Sequence, residues 1–201
     1  SLRGQEGAAA AAYFGAFGFM LRNPNFSFKR RNRRPPRDPI NAMLSFGYTV
    51  LATVFETFVL RAGLDPLLGA YHQPAYGRPS LALDLMEEFR PILVDSLVLR
   101  LVNRKEVSPE DFEDPREEVE AVWAEEPGSC EAESTKAPRA VWLSDTGRRI
   151  FFRAWRKRIN ETIFYPPLAE VHTLESIAQN QVYRLARAIK GIDDYEPFIP
   201  R

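Results

Sequence analysis

Apolar residues recur at helical spacing in several long runs, which are separated by proline-rich or charged segments. The periodicity predicts helices over residues 8–21, 40–63, 80–105, 146–164 and 173–191. Asp38, Ser80 and Ser144 stand at predicted helix starts, where a side-chain oxygen can accept a hydrogen bond from the first turn. No alternation is long enough for a sheet. We therefore expect an all-α, multi-helix globular fold with at most a short extended segment near residues 140–144.

The runs predict a single helical domain over residues 1–201, with an acidic insertion at about 106–138. The first helix should be buried, with small residues on one side, and Pro91 should kink or divide the 80–105 helix. The chain opens on Ser1 within a predicted helix, so we expect it to be part of a longer protein. No uninterrupted apolar run reaches the roughly 18 residues of a membrane span, which predicts a soluble intracellular protein.

Charge is balanced overall but unevenly distributed. The chain has 27 basic and 27 acidic residues and one cysteine, which excludes a disulfide framework and a cysteine-rich zinc site. Residues 29–37 (the first basic segment) and 148–158 (the second basic segment) each hold six cations, whereas residues 106–133 are strongly acidic. This distribution predicts one face for a polyanion and another that avoids it.

Two carboxylates, Asp84 and Glu87, lie three residues apart inside an apolar helical run, so they share one face about a turn apart. An ionised group among leucines is costly unless it is paired. His72 lies upstream on a loop that could fold back over that face. One imidazole with carboxylates suits Mn²⁺ or Mg²⁺, and Glu6 is a further candidate carboxylate from a distant part of the chain.

Each of these side chains also has an ordinary structural explanation. His72 could be a solvated loop histidine, the helix carboxylates could pair with Arg90 or another cation, and Glu6 could cap or solvate a helix start. His172 is interpreted as structural or incidental. Core packing is the interpretation of the aromatic series Phe46, Tyr48, Phe55 and Phe58. In the second basic segment the aromatic residues are expected to pack inward while the arginines face solvent; these aromatics are Phe151, Phe152 and Trp155.

Three segments, in order along the chain, resemble a known family. They are RGQEGAAAAAYF, RRPPRDPINAMLSFGYTVLA and AGLDPLLGAYHQPAYGRPSLALDLMEEFRPILVDSLVLRL. Together they look like the C-terminal helical catalytic domain of the CRISPR-associated integrase that inserts new spacers. The resemblance runs from Leu2 to about Asn103 and resumes more loosely from Val141. The acidic stretch is longer than the family pattern, and the family's N-terminal β-domain has no counterpart in this chain.

The resemblance implies a metal site. Its ligands would be Glu6 of the RG-x-EG motif, His72 of the loop and Glu87 of the DLxE motif. Asp84, the other acid of that motif, and Asn41 would support these ligands or replace one of them. The bound cation would be Mn²⁺ or Mg²⁺.

The implied activity is insertion of spacers into a CRISPR array by attack of a 3′-hydroxyl on a phosphodiester. A stand-alone nuclease on branched or single-stranded DNA and a non-catalytic DNA-binding scaffold are the alternatives. The implied partners are DNA (spacer precursor and CRISPR repeat), a second copy in a homodimer and a small ferredoxin-fold adaptor subunit, with no membrane, in the prokaryotic cytoplasm. DNA contacts are expected from Lys29, Arg30, Arg31, Arg33, Arg34, Arg37, Arg78, Arg149, Arg153 and Arg156.

Overall fold

A computed structural model describes residues 2–33, 35–73, 75–114 and 140–199. Its described helices confirm the all-α prediction. They are α1 (Leu2–Phe17), α2 (Pro39–Arg61), α3 (Ser80–Met86), α4 (Ser96–Asn103), α5 (Asp145–Ile159) and α6 (Leu174–Ile189). Short 3₁₀ turns cover Gly18–Met20, Pro109–Asp111 and Pro166–Leu168, and a π-helix covers Arg90–Asp95. Most of the predicted acidic insertion, and the Arg34 side chain, lie outside the described residues.

Two short antiparallel strand pairs accompany the helices. Strands β1 (Phe112–Glu113) and β2 (Trp142–Leu143) pair with each other, which agrees with the extended segment predicted near 140–144. Strands β3 (Thr162–Tyr165) and β4 (Glu170–Thr173) form a hairpin that the sequence prediction missed. Helix α5 ends five residues before the predicted end at 164, because the β-branched and aromatic residues of β3 favour a strand there.

The chain divides into two compact units, which we describe separately. Unit 1 comprises residues 1–45 and 98–152, and unit 2 comprises residues 46–97 and 153–201. The boundaries fall inside α2, α4 and α5. The single-domain organisation stays a prediction.

Unit 1 is built around aromatic rings of α1 and the segment after it. Phe14, Phe17 and Phe28 lie with ring centroids 5.4 to 6.1 Å apart. The α1 residues from Gly4 to Tyr13 are exposed, so the prediction of a buried first helix was wrong along most of its length. Burial requires a side chain to insert between neighbours, and among the α1 side chains described from Gly4 onward only Phe14 and Phe17 are buried.

Unit 2 has an aromatic core in which Phe89 contacts both Phe55 and Phe198, at centroid distances of 5.3 and 5.4 Å. Pro91 divides the predicted 80–105 helix as expected: α3 ends at Met86, and the π-helix follows before α4. The guanidinium of Arg158 donates to the Ile92 carbonyl at 2.9 and 3.0 Å. This contact satisfies a carbonyl beside the irregular turn.

Two of the three predicted helix caps are confirmed. The Asp38 carboxylate accepts from the Asn41 N–H at 2.8 Å, and the Ser144 hydroxyl accepts from the Gly147 N–H at 3.2 Å. Ser80 is instead the first residue of α3, and its hydroxyl donates to the Gln73 carbonyl at 3.2 Å. It is fully buried and ties the preceding loop to the helix rather than capping the first turn.

Helix α2 is long and apolar enough to cross a membrane, judged by length and composition alone. Isolated polar residues such as Asn41 interrupt the apolar run, so no uninterrupted stretch reaches the length of a span although the helix as a whole is apolar. The indication is weak, because core helices meet the same test. In this helix Leu51 and Phe55 are fully buried, as in a core helix.

The close approach of α5 to the turn before β1 requires glycine at position 147. A Cβ there would overlap the Asp111 carbonyl oxygen, whereas a Cβ at Gly15 would meet nothing within 4 Å. We expect Gly147→Ala to lower the free energy of unfolding by about 1–3 kcal/mol. Gly15→Ala, in a helix interior, should leave it unchanged or raise it by up to about 1 kcal/mol. Urea denaturation of both variants measures the difference, and equal stabilities would contradict the prediction.

Candidate functional site

The loop before α3 is folded onto the carboxylate of Asp84, which lies on α3 in unit 2. This carboxylate accepts hydrogen bonds from the backbone N–H groups of Ala70 at 2.7 Å, Tyr71 at 2.9 Å and His72 at 2.9 Å. It also contacts Nδ1 of the His72 ring at 2.6 Å. One side chain thus fixes both the path of the loop and the orientation of the histidine.

These contacts keep Asp84 ionised. Burial by itself would raise the pKa of Asp84, but the hydrogen bonds from Tyr71, His72 and Ala70 outweigh it and hold the pKa below its ordinary value. An ionised carboxylate at Nδ1 requires that nitrogen to carry a proton, so in the neutral imidazole the lone pair lies on Nε2. A histidine held in this way by a carboxylate is the usual arrangement of a metal-ligating imidazole.

Gly69 is needed where the loop meets the start of α3. A Cβ at this position would lie 2.7 Å from the Ser80 Cβ and 2.8 Å from the His72 carbonyl oxygen. Only glycine allows the backbone to pass this close to the helix. Sequence reasoning missed Gly69, because the residue approaches the start of α3 only in the folded chain.

Glu87 is paired with Arg90, which is the structural alternative that the sequence left open. Nη1 of Arg90 donates to both carboxylate oxygens of Glu87, each at 2.6 Å. The guanidinium lies over the Tyr48 ring, 4.1 Å from its centroid, and the Tyr48 hydroxyl donates to the buried Asp95 at 2.5 Å. Burial first, and then Asp95, raises the pKa of Tyr48, so its phenol stays protonated.

Two of the three predicted metal ligands, His72 and Glu87, belong to unit 2, and Glu6 lies on the exposed part of α1 in unit 1. Within the part of the chain that the structure describes, no three His, Cys, Asp or Glu side chains are gathered as a metal site. The imidazole nitrogen and carboxylate oxygens of unit 2 are donors that suit Mn²⁺ or Mg²⁺. The three-ligand set stays a prediction.

Asn41 is fully buried in unit 1, where it holds the first basic segment. Its side-chain oxygen accepts from Nη1 of Arg31 at 2.7 Å and from the Asn32 N–H at 2.9 Å. Its amide donates to the Arg30 carbonyl at 2.9 Å and to Asp38 at 2.6 Å. These bonds give Asn41 a role in shaping the loop, which spacing along the sequence could not reveal.

The first basic segment and α1 enclose a cavity of about 320 Å³ in unit 1. It is lined by Ala10, Ala11, Phe14, Gly15, Lys29, Arg30, Arg31 and Arg33. Lys29, Arg30 and Arg33 are exposed, whereas Arg31 is half-buried and also donates to the Ser45 hydroxyl at 3.0 Å. The cavity therefore presents exposed cationic side chains beside small residues, an arrangement that suits a phosphate backbone.

The remaining predicted DNA contacts are also on the surface. Arg37, Arg78, Arg149, Arg153 and Arg156 are exposed. In the second basic segment, Phe151 and Trp155 are buried as predicted, but Phe152 is 47% exposed. Phe152 and Arg156 are four residues apart, so the helix directs them to the same side, and the prediction that Phe152 packs inward was wrong.

Comparison with known proteins bears on these features. Residues 1–130 match the family model described as CRISPR associated protein Cas1. A relative from Thermus thermophilus, named CRISPR-associated endonuclease Cas1 3, is 43% identical over 206 residues, which cover 100% of this chain and 54% of the relative. The chain spans about half the length of the curated relatives it matches first.

Solved structures give the same assignment of fold. The chain is similar to a casposase bound to integration product, with a TM-score of 0.78 and 26% identity over 95% of this chain and 48% of that one. It is also similar to a chain of a Cas6-RT-Cas1–Cas2 complex, with a TM-score of 0.77 and 26% identity over 98% of this chain and 19% of that one.

Replacing Asp84 by asparagine should release the loop that carries His72. Asparagine has one acceptor oxygen, so several N–H groups lose their partner, and we expect the free energy of unfolding to fall by about 1–3 kcal/mol. The His72 ring should also lose its preference for a proton at Nδ1, which ¹⁵N NMR of the imidazole measures. Asp65→Asn is the matched control, because Asp65 is exposed and accepts one hydrogen bond, from the Leu67 N–H. Unchanged stability and unchanged ring resonances in Asp84→Asn would contradict the prediction.

Proposed function

We propose that this chain, which belongs to the Cas1 family of CRISPR-associated proteins, is the helical catalytic part of a divalent-metal-dependent DNA integrase and endonuclease. The observation that carries the proposal is that Asp84 holds the His72 ring through Nδ1, which leaves the lone pair of Nε2 for a metal ion. A solvated loop histidine would not need a carboxylate that holds both its ring and the backbone of its loop. The similar casposase bound to integration product supports integration as the reaction class.

The proposed metal ligands are Nε2 of His72 and the carboxylates of Glu87 and Glu6. When bound, Mn²⁺ or Mg²⁺ would polarise the scissile phosphodiester and stabilise negative charge on the leaving 3′ oxygen. Asp84 orients His72 and keeps its tautomer, as the described hydrogen bonds require. Glu87 would have to release at least part of its contact with Arg90 to serve as a ligand.

The proposed substrates are two DNAs, a spacer precursor and a CRISPR repeat. A 3′-hydroxyl of the precursor would attack a phosphorus atom of the repeat, forming a new P–O bond while the original 3′ oxygen leaves with a proton. With water as the nucleophile the same site would act as an endonuclease, the activity named for the relative. A stand-alone nuclease would yield only cleaved DNA, so joined products distinguish the two.

The proposed partners are a second copy of the protein and a small ferredoxin-fold adaptor subunit in a prokaryotic cytoplasm. The similarity to a chain of a Cas6-RT-Cas1–Cas2 complex supports an assembly of this kind. The exposed cations that line the unit 1 cavity are proposed to contact the phosphate backbone of the DNA.

The test of the proposed site is replacement of His72. With the full protein and its adaptor, His72→Ala should abolish Mn²⁺ binding measured by calorimetry and should reduce strand joining at least 100-fold. The matched control is His172→Ala, because His172 lies in β4 and its ring faces Ser176 at 3.5 Å. This control should keep both properties. If a folded His72→Ala protein retains integration, the chemistry does not depend on this site, and the chain is explained as a non-catalytic DNA-binding scaffold.

The cavity cations should contribute to the salt dependence of DNA binding. Replacing Lys29, Arg30 and Arg33 together by glutamine should make the fall of log affinity with log salt concentration less steep. The magnitude of the slope should decrease by about 2 to 3 if each side chain contacts one phosphate. Fluorescence anisotropy with duplex DNA from low to moderate salt measures the slope. A control with three other exposed cations changed, Arg61, Arg104 and Lys190, removes the same charge. Equal slopes for the two triple variants would contradict a specific role for the cavity.

A further inference from the structure

The Arg90 side chain is fixed by its contacts beside the candidate ligand Glu87. Its side chain is only 14% exposed, and that of Glu87 is 38% exposed. Nη1 makes both contacts to the carboxylate, and the guanidinium carbon lies 4.1 Å from the Tyr48 ring centroid. A surface ion pair would not be stacked on a buried ring, so this cation is fixed where it is rather than drawn in by chance.

The backbone on the other side of the pair is also fixed. Glu88 accepts from the Gln181 amide at 3.1 Å and from the Phe198 N–H at 2.8 Å, and it is hydrogen-bonded to the Tyr195 hydroxyl. Pro91 follows Arg90 at the start of the π-helix. π-helical turns are frequent at functional sites, and here the irregular turn begins at Arg90, three residues after the candidate ligand, and ends at the buried Asp95. Arg90 therefore cannot move far when the partner of Glu87 changes.

The charge of Arg90 affects how strongly Glu87 can bind a metal ion. Without metal, Arg90 neutralises Glu87. With a divalent cation on the same carboxylate, the fixed guanidinium becomes a second positive charge only a few ångströms from the first. This repulsion disfavours the metal on its own, but an anion placed between the two cations would remove it.

A guanidinium has five N–H donors in a planar fork, and both contacts to Glu87 come from Nη1. Such a fork matches the geometry of phosphate oxygens. We propose that Arg90 is a catalytic residue of the metal site. It stands in for the cation on Glu87 in the absence of metal, and it donates to a non-bridging oxygen of the scissile phosphate once the metal is bound. This inference rests on the proposed function.

Metal and DNA should then bind cooperatively, because each changes the affinity of the other through its interaction with Arg90. Arg90 weakens the binding of the metal alone and strengthens the binding of the phosphate, so its removal should change the two affinities in opposite directions. A purely structural role, in which Arg90 only orients Glu87, predicts that both affinities fall together.

The experiment uses the full protein and compares wild type with Arg90→Gln. Mn²⁺ alone, titrated by calorimetry, should bind roughly threefold to tenfold more tightly to the variant, because a like charge has been removed. Duplex DNA in the presence of Mn²⁺ should bind more weakly, and the gain in DNA affinity that Mn²⁺ gives the wild type should shrink. Arg90→Lys is the matched control that keeps the charge without the fork, and its Mn²⁺ affinity should stay within about twofold of wild type.

Three results would overturn the inference. Mn²⁺ binding that is unchanged or weaker in folded Arg90→Gln, while His72→Ala still abolishes it, overturns the role of Arg90 and leaves the proposed metal site standing. If Arg90→Gln binds Mn²⁺ more tightly but does not lose DNA affinity, Arg90 does not contact the phosphate. Absence of Mn²⁺ binding in the wild type overturns the proposed function and this inference together. If Arg90→Gln does not fold, Arg90→Met, whose stem can still pack on Tyr48, carries the same expectations.

Discussion

The interaction on which the rest of unit 2 depends is the acceptance of three consecutive backbone N–H groups by Asp84. A loop with several glycines and prolines has no regular hydrogen bonding of its own, so a single carboxylate supplies it. The same group holds the His72 ring. Because the contacts converge on one side chain, the position of the histidine and the fold of the loop cannot vary independently.

A second constraint comes from placing charged groups at the end of α3. Asp84, Glu87 and Glu88 follow one another within five residues, and each has partners of a different kind. Asp84 is satisfied by its loop, Glu87 by Arg90, and Glu88 by the C-terminal segment. This division matters chemically. A carboxylate saturated by N–H groups orients its neighbours, whereas one held by a single guanidinium can exchange that partner for a metal.

The sequence predicts what depends on local patterns. Helical periodicity and the caps at Asp38 and Ser144 place the main helices, and Pro91 correctly divides one of them. The β3–β4 hairpin was missed because apolar spacing continues past the end of α5. The Asp84–Glu87 spacing pointed to the site, but Asn41 is bonded to residues up to 11 positions away, and Arg90 stacks on Tyr48, 42 positions away. Spacing along one chain carries no information on such pairs.

Glu87 also shows why the structural and the functional explanation of a residue need not exclude each other. The ion pair with Arg90 explains how Glu87 is tolerated beside an apolar helix face, which is the purely structural explanation of this residue. It also holds the carboxylate in one orientation, as a metal ligand requires. A protein that must hold a metal site in the absence of metal faces an uncompensated charge there, and a fixed guanidinium is one solution. The same cation then remains where the substrate phosphate would arrive, so a group retained for stability supplies the positive charge that phosphoryl chemistry uses.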